Sequence, residues 1–206
     1  MTKQYKLTDQ YLTTHCGYQW ELGVWQEVKV EGWKPSTNQV FHYYHDPLLA
    51  VLFNPFQSNI KNPRLFEIEI DGELGNDKIK GWCKQMKLVK EIPLPVFTAD
   101  QYVEFAIRVA KTISHDWVWN LWADKWLSGD DRTKESALSV VANITHIDYS
   151  SAAAISALYA AIDNGQSKSS EYISYTSFLS IVYALKTDIS IDKLKEIAKI
   201  IINFDY

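Results

Sequence analysis

Ligand-spaced cysteines, long apolar runs, glycine-rich phosphate loops and a strong charge of one sign are all missing from this 206-residue chain. Each absence removes a class of function. The only two cysteines, Cys16 and Cys83, form no CxxC pair, so neither a zinc ribbon nor a disulfide framework is expected. The N-terminal MTKQYKLTDQ has no apolar core of a signal peptide. No stretch approaches the roughly eighteen apolar residues of a membrane-spanning helix. These features predict a cytoplasmic protein with two free thiols. Walker, GxGxxG and HExxH patterns are absent, as is any Ser–His–Asp arrangement, which removes the familiar phosphate cradles and hydrolase triads. The net charge is −4 and the sequence pI about 5.7. Basic and acidic residues balance up to Phe97, and the acidic excess lies wholly beyond it. A general polyanion binder needs clustered Lys and Arg, so nucleic acid is an unfavoured partner.

What the chain has instead is aromatic surface, with eight Trp and twelve Tyr. Such rings serve cores, and they also serve binding surfaces at low entropic cost. The first 97 residues read as β-rich. Tyr18, Trp20 and Leu22 alternate with polar neighbours, as do Val24, Gln26, Val28 and Val30. Arg64 to Asp71 is the clearest strand, with Leu65, Glu67 and Glu69 on one face and Phe66, Ile68 and Ile70 on the other. Asp71-Gly72 then supplies a turn signal. Lys84 to Ile92 reads as a further strand. Pro93 and Pro95 close the region.

Helical periodicity follows. Thr98 and Gln101 fit a capping box, and helices are expected over 99–113, 116–128, 133–146, 150–163, 171–186 and 191–204. Gly129 and Gly165 mark breaks, and Ser150 and Ser190 are candidate N-caps. The alanine-rich fourth span is apolar nearly all round and belongs at the centre of a bundle. The expectation is an α+β protein. A small mixed or antiparallel β-rich domain with a short helix occupies 1–97, and an all-α bundle or α-hairpin array occupies 98–206.

Several clusters carry candidate chemistry. Val40 to Pro47, VFHYYHDP, places His42, His45 and Asp46 close together, with His15 and Cys16 as distant contributors to a metal site. The ligand spacing is poor, and no metal is expected. An ADP-ribosyltransferase-like pocket would need a strand-borne His42, a stacking Tyr43 or Tyr44, and a carboxylate from Glu67 or Glu91 to stabilise an oxocarbenium ion. NAD would be required only under that alternative, and no cofactor is expected otherwise. Carboxylates alternating on a solvated strand face are the simpler account of Glu67 and Glu91. Lys78, Lys80, Lys84, Lys87 and Lys90 surround Trp82, a thin platform for single-stranded nucleic acid. Lysines on exposed strands also block edge aggregation. In SHDWVWNLWADKWL, His115, Trp119, Trp122 and Trp126 share one helical stripe, while Trp117 and Leu121 lie away from it. Either this helix is sandwiched between the two halves of the chain, which is the favoured expectation, or part of its aromatic surface binds a partner, with Asp124, Asp130, Asp131 and Arg132 as a polar rim. The expected binding residues are Tyr43, Tyr44, His45, Trp82, Trp117, Asp124 and Arg132.

The motifs GYQWELG at Gly17–Gly23, VFHYYHDPLLAV at Val40–Val51, RLFEIEIDGEL at Arg64–Leu74 and DKIKGWCKQMKLVKEI at Asp77–Ile92 occur in order. With them the N-terminal region resembles an uncharacterised domain of tailed-bacteriophage and prophage proteins. His42, Pro47, Leu48, Glu67, Gly72, Asp77, Lys78, Lys87 and Glu91 carry the match. Val40 departs from it, standing where glycine is more usual. The resemblance implies phage origin and accessory status, and no reaction. Such accessory proteins commonly bind and disable a host protein, a defence-system component among them. The expectation that follows is a non-enzymatic protein-binding module in the host cytoplasm, with an enzyme centred on His42 and Tyr43 as the alternative.

Overall fold

The computed structural model describes residues 3–14, 17–28, 40–77, 79–144, 148–165, 170–187 and 189–202. Its architecture is α+β, in two compact units that divide between Val96 and Phe97.

The first unit is built on a long ribbon of β6 (Arg64–Asn76) and β7 (Lys80–Ile92), antiparallel from Leu65↔Ile92 to Asn76↔Gly81. The other edge of β7 carries two strands in succession. These are β5 (Phe41–Tyr44), paired from Phe41↔Cys83 to Tyr44↔Lys80, and β4 (Trp25–Glu27), paired from Trp25↔Lys87 to Glu27↔Gln85. The outer edge of β6 pairs with β1 (Gln4–Thr8), and β1 meets β5 at Tyr5↔Tyr44. The ring β7–β5–β1–β6–β7 is therefore closed, and the unit is a small antiparallel barrel. Closure at this size needs sharp curvature. Register shifts between Glu67 and Ile68 and between Glu73 and Gly75 supply it. The short β2 (Thr13–Thr14) and β3 (Tyr18–Gln19) form a separate hairpin.

Side chains on one face of this ring pack into an interior of Trp20, Phe41, Tyr43, Phe66, Ile68, Cys83, Met86 and Leu88. The opposite face of β1 and β5 is covered by α1 (Pro47–Gln57), whose Leu48, Leu49, Leu52 and Phe53 are buried. The Arg64–Asp71 strand alternates as expected, and this double cover buries both Leu65 and Phe66 although they point to opposite faces. Asp71-Gly72, however, is not the hairpin turn. Gly72, at φ 64, lies within β6, and the ribbon continues to Asn76. The reversal is made by Asp77, whose carboxylate accepts from the backbone N–H groups of Ile79 (3.1 Å) and Lys80 (2.8 Å).

The second unit holds α2 (Ala99–Lys111), α3 (Trp117–Ser128), α4 (Lys134–Val141), α5 (Tyr149–Gly165), α6 (Ser170–Ala184) and α7 (Ile191–Ile201). The Thr98–Gln101 capping box opens α2, Gly129 closes α3 in the left-handed conformation, and Ser190 caps α7. Ser150 is not the cap of α5. Asp148 takes that role, accepting from Ser151 N–H at 2.8 Å while Ser151 Oγ accepts from Asp148 N–H. The helix α4 stops at Val141, short of the expected 146. As its alanines required, α5 is central, packing on α2, α4 and α6, with Ala153, Ala157 and Ala160 fully buried.

One close approach dominates the barrel. Tyr43 lies cross-strand from Gly81, and a Cβ on Gly81 would fall within the Tyr43 ring. Gly81→Ala is expected to destabilise the protein by about 1–3 kcal/mol through overpacking, measured by denaturant unfolding. Tyr43→Leu in the same chain should recover part of that loss, and no recovery would show that the Tyr43 ring is not the obstacle.

Candidate functional site

The VFHYYHDP segment is a strand-to-helix junction. Phe41–Tyr44 forms β5, Asp46 caps α1 by accepting from Leu48 N–H (2.9 Å) and Leu49 N–H (3.2 Å), and Pro47 takes the first helical position. Asp46 is thus a buried cap rather than a free ligand. His15 and Cys16, the other metal contributors considered, lie outside the described residues.

Strand alternation separates the residues of the putting-together of an ADP-ribosyltransferase-like pocket. Tyr43 enters the barrel interior and is fully buried, whereas His42 points to the opposite face, beside its cross-strand partner Trp82. His42 and Tyr43 therefore cannot line one pocket. Tyr44 shares the face of His42 but is buried under α1, its hydroxyl donating to Gln57 Oε1 at 3.2 Å. Glu67 is held by Lys3 Nζ at 2.7 Å. Glu91, at the far end of β7, receives both Arg64 Nε (2.9 Å) and Arg64 Nη2 (2.5 Å). Hydrogen bonding from that guanidinium holds the Glu91 carboxyl below its ordinary range. These five residues do not converge on one pocket.

The aromatic edge expected of Tyr43 and Tyr44 is likewise interior. Both rings are buried, and burial pushes the Tyr44 phenol up to about 12. His45 sits edge-on to Tyr43, with ring centroids 5.3 Å apart. Trp82 lies against Gly75, so one ring face is already covered. Among the lysines near it, Lys87 is paired with Glu69 at 2.5 Å and stands over Trp25, while Lys84 and Lys90 are exposed. Lys78 lies outside the described residues. Among the described residues, two shielded polar atoms in this region, His42 Nε2 and Trp82 Nε1, have no hydrogen-bond partner.

The helix α3 divides its aromatics. Trp119, Trp122 and Trp126 are buried, and Trp119 Nε1 donates to the Ala154 carbonyl oxygen at 3.2 Å. His115 is not part of this stripe, since it precedes the Asp116 cap and is exposed. Trp117 is 75% exposed and Leu121 50%. The helix is therefore covered on one side only. Asp124, one turn beyond Leu121, pairs with Lys111 at 2.7 Å. Arg132 is less available than a free rim residue. Its guanidinium stacks over Trp126 at 4.3 Å, and its Nε donates to the Trp126 carbonyl oxygen at 3.0 Å, closing the end of α3.

One feature that sequence reading missed is a groove of about 650 Å³ in the helical unit. Ile113, His115, Tyr149, Ile189 and Lys193 line it, drawn from three separate inter-helix junctions. No local spacing could have revealed that convergence. Two of its polar groups are engaged locally: Thr112 Oγ1 donates to the Val109 carbonyl oxygen (2.7 Å), and Lys193 Nζ donates to Glu196 (2.8 Å).

Burial, with the nearby charges of Lys6 and Lys80, lowers the His42 pKa from 6.5 to about 4. Native His42 thus stays neutral in the window where the unfolded chain takes up a proton. Its contribution to stability is present above pH 6.5 and is lost as pH falls through about 4. A His42→Gln variant should accordingly lose less stability than the wild type between pH 7 and pH 4.5, as measured by urea unfolding. Equal losses would place His42 in a solvated setting.

Residues 2–100 match the model of a family described as a domain of unknown function, DUF7666, and this chain is similar to that family over its N-terminal half. No curated protein matches the chain. No solved structure matches it either.

Proposed function

We propose that this protein is a non-enzymatic protein-binding module that engages its partner through the open side of α3. The observation that carries this reading is the exposure of Trp117 and Leu121, one helical turn apart, on a helix whose other three tryptophans are buried. A tryptophan held on a rigid, capped helix offers large contact area at little entropic cost, the usual character of a binding hot spot. Asp116, which caps the helix next to Trp117, is exposed, as is Asp124, paired with Lys111 one turn beyond Leu121. The complementary partner is a protein with an apolar cleft flanked by basic residues. The phage-domain resemblance makes a host protein the partner class, with a defence-system component among its members. The nucleotide-handling alternative has less support, because His42 and Tyr43 face opposite sides of one strand.

Pull-down from host lysate with wild type, Trp117→Ala and Trp25→Ala tests the reading. A stoichiometric partner should be recovered by wild type and by Trp25→Ala. Its affinity for Trp117→Ala should fall at least about 30-fold, the scale of a hot-spot tryptophan. Undiminished binding by Trp117→Ala, or recovery of chaperones alone, would overturn it.

A further inference from the structure

The joins that close the barrel ring are of very unequal length. The β6–β7 join runs from Leu65↔Ile92 to Asn76↔Gly81, the β1–β6 join from Gln4↔Ile68 to Thr8↔Arg64, and the β5–β7 join from Phe41↔Cys83 to Tyr44↔Lys80. Among the described residues, β1 and β5 meet only at Tyr5↔Tyr44. Where a ladder stops, its backbone groups must be satisfied in some other way. At this seam a side chain does so, because Lys6 Nζ donates to the His42 carbonyl oxygen at 2.6 Å. Register puts Lys6 on the interior side, opposite Phe66 of β6, and its ammonium stands 5.3 Å from the centroid of the Trp20 ring. Burial lowers its pKa from 10.5 to about 8, so the charged form still prevails at pH 7. Both contacts are those of a cation.

On the outer face α1 packs against both β1 and β5. The seam therefore has a helix as a hinge on one side and a lysine bond on the other. Elements joined by few hydrogen bonds open locally, without the rest of the fold unfolding. The interior that such an opening uncovers includes Cys83, fully buried, whose Sγ donates to the Phe41 carbonyl oxygen at 3.8 Å.

We propose that the β1–β5 seam is a latch, the place where the barrel wall opens while the rest of the fold holds, and that Lys6 is the group that keeps it shut. With the latch released, β1 remains on β6 and β5 remains on β7, because those joins are the longer ones. The aromatic interior around Trp20, Phe41 and Phe66 then becomes reachable from solvent. The latch belongs to the barrel and does not depend on the α3 surface.

Cys83 reports the opening. Burial pushes its thiol up to about 12, so in the closed wall it is inert toward a pyridyl disulfide reagent at pH 7. The test labels the full chain with that reagent over a series of urea concentrations below the unfolding transition, and peptide mass mapping follows Cys83 by itself. Wild-type labelling should depend on urea much less steeply than global unfolding does, because a parted seam exposes little surface. Lys6→Met keeps the apolar stem and removes the donor. It should speed the labelling at least about ten-fold, the scale of one hydrogen bond to a charged group. Lys87→Met, which breaks the pair with Glu69 across the long β6–β7 join, should leave the rate unchanged. Wild-type labelling with the full urea dependence of unfolding would overturn the proposal, as would a Lys6→Met rate equal to wild type or equal acceleration by Lys87→Met. The wild-type urea series decides the matter even if Lys6→Met fails to fold.

Discussion

Everything in the first unit depends on one strand serving three neighbours. β7 holds β6 along one edge and β5 followed by β4 along the other, so the ring cannot close unless β7 bends. The tightest point of that closure is where Tyr43 lies on the backbone of Gly81. A side chain there would push β5 off β7 and, through Tyr5↔Tyr44, open the contact with β1. Gly75 beneath Trp82 repeats the same device at the other side of the ribbon end. Two aromatic rings laid over two glycines let a short, strongly curved sheet surround an interior large enough for Trp20, Phe41 and Met86.

That curvature has an electrostatic consequence. Because β1 and β5 diverge after a single pair, the His42 carbonyl is left for a side chain to satisfy, and Lys6 does so from the interior face. The barrel thereby carries a cation where its neighbours are aromatic, along with a histidine on the far side of the wall that burial keeps neutral. Burial is the first cause of both departures from ordinary titration. Either group on a flat, solvated sheet would behave as a surface residue.

The helical unit solves a different problem. Small residues along α5 allow α2, α4 and α6 to approach it closely, and the three buried tryptophans of α3 fill the space beside α4 and α5. Trp119 and Trp122 find hydrogen-bond acceptors in Ala154 and Ser136, which anchors the helix rotationally. With that rotation set, Trp117 and Leu121 are left largely exposed on the other side of the helix. The proposed docking surface is a product of how firmly the opposite side of the helix is held.

Local features were legible in the sequence because they depend on residues close in the chain. The Thr98–Gln101 box, the Ser190 cap, the Gly129 stop and the central, alanine-rich α5 follow from propensity and periodicity alone. The same reasoning failed wherever the outcome depended on distant pairing. Asp71-Gly72 reads as a turn but lies within a strand, because β7 continues to pair beyond it. Tyr43 and Tyr44 read as a presented edge, yet Gly81 and α1 enclose them from opposite sides. The sequence by itself determined an aromatic-rich α+β chain and, through capping residues and periodicity, the start or end of several helices. Which aromatics are hidden, and which lysine is enclosed, only the tertiary structure decided. Exposure is a property of what covers a residue, and the covering strands here come from positions tens of residues away.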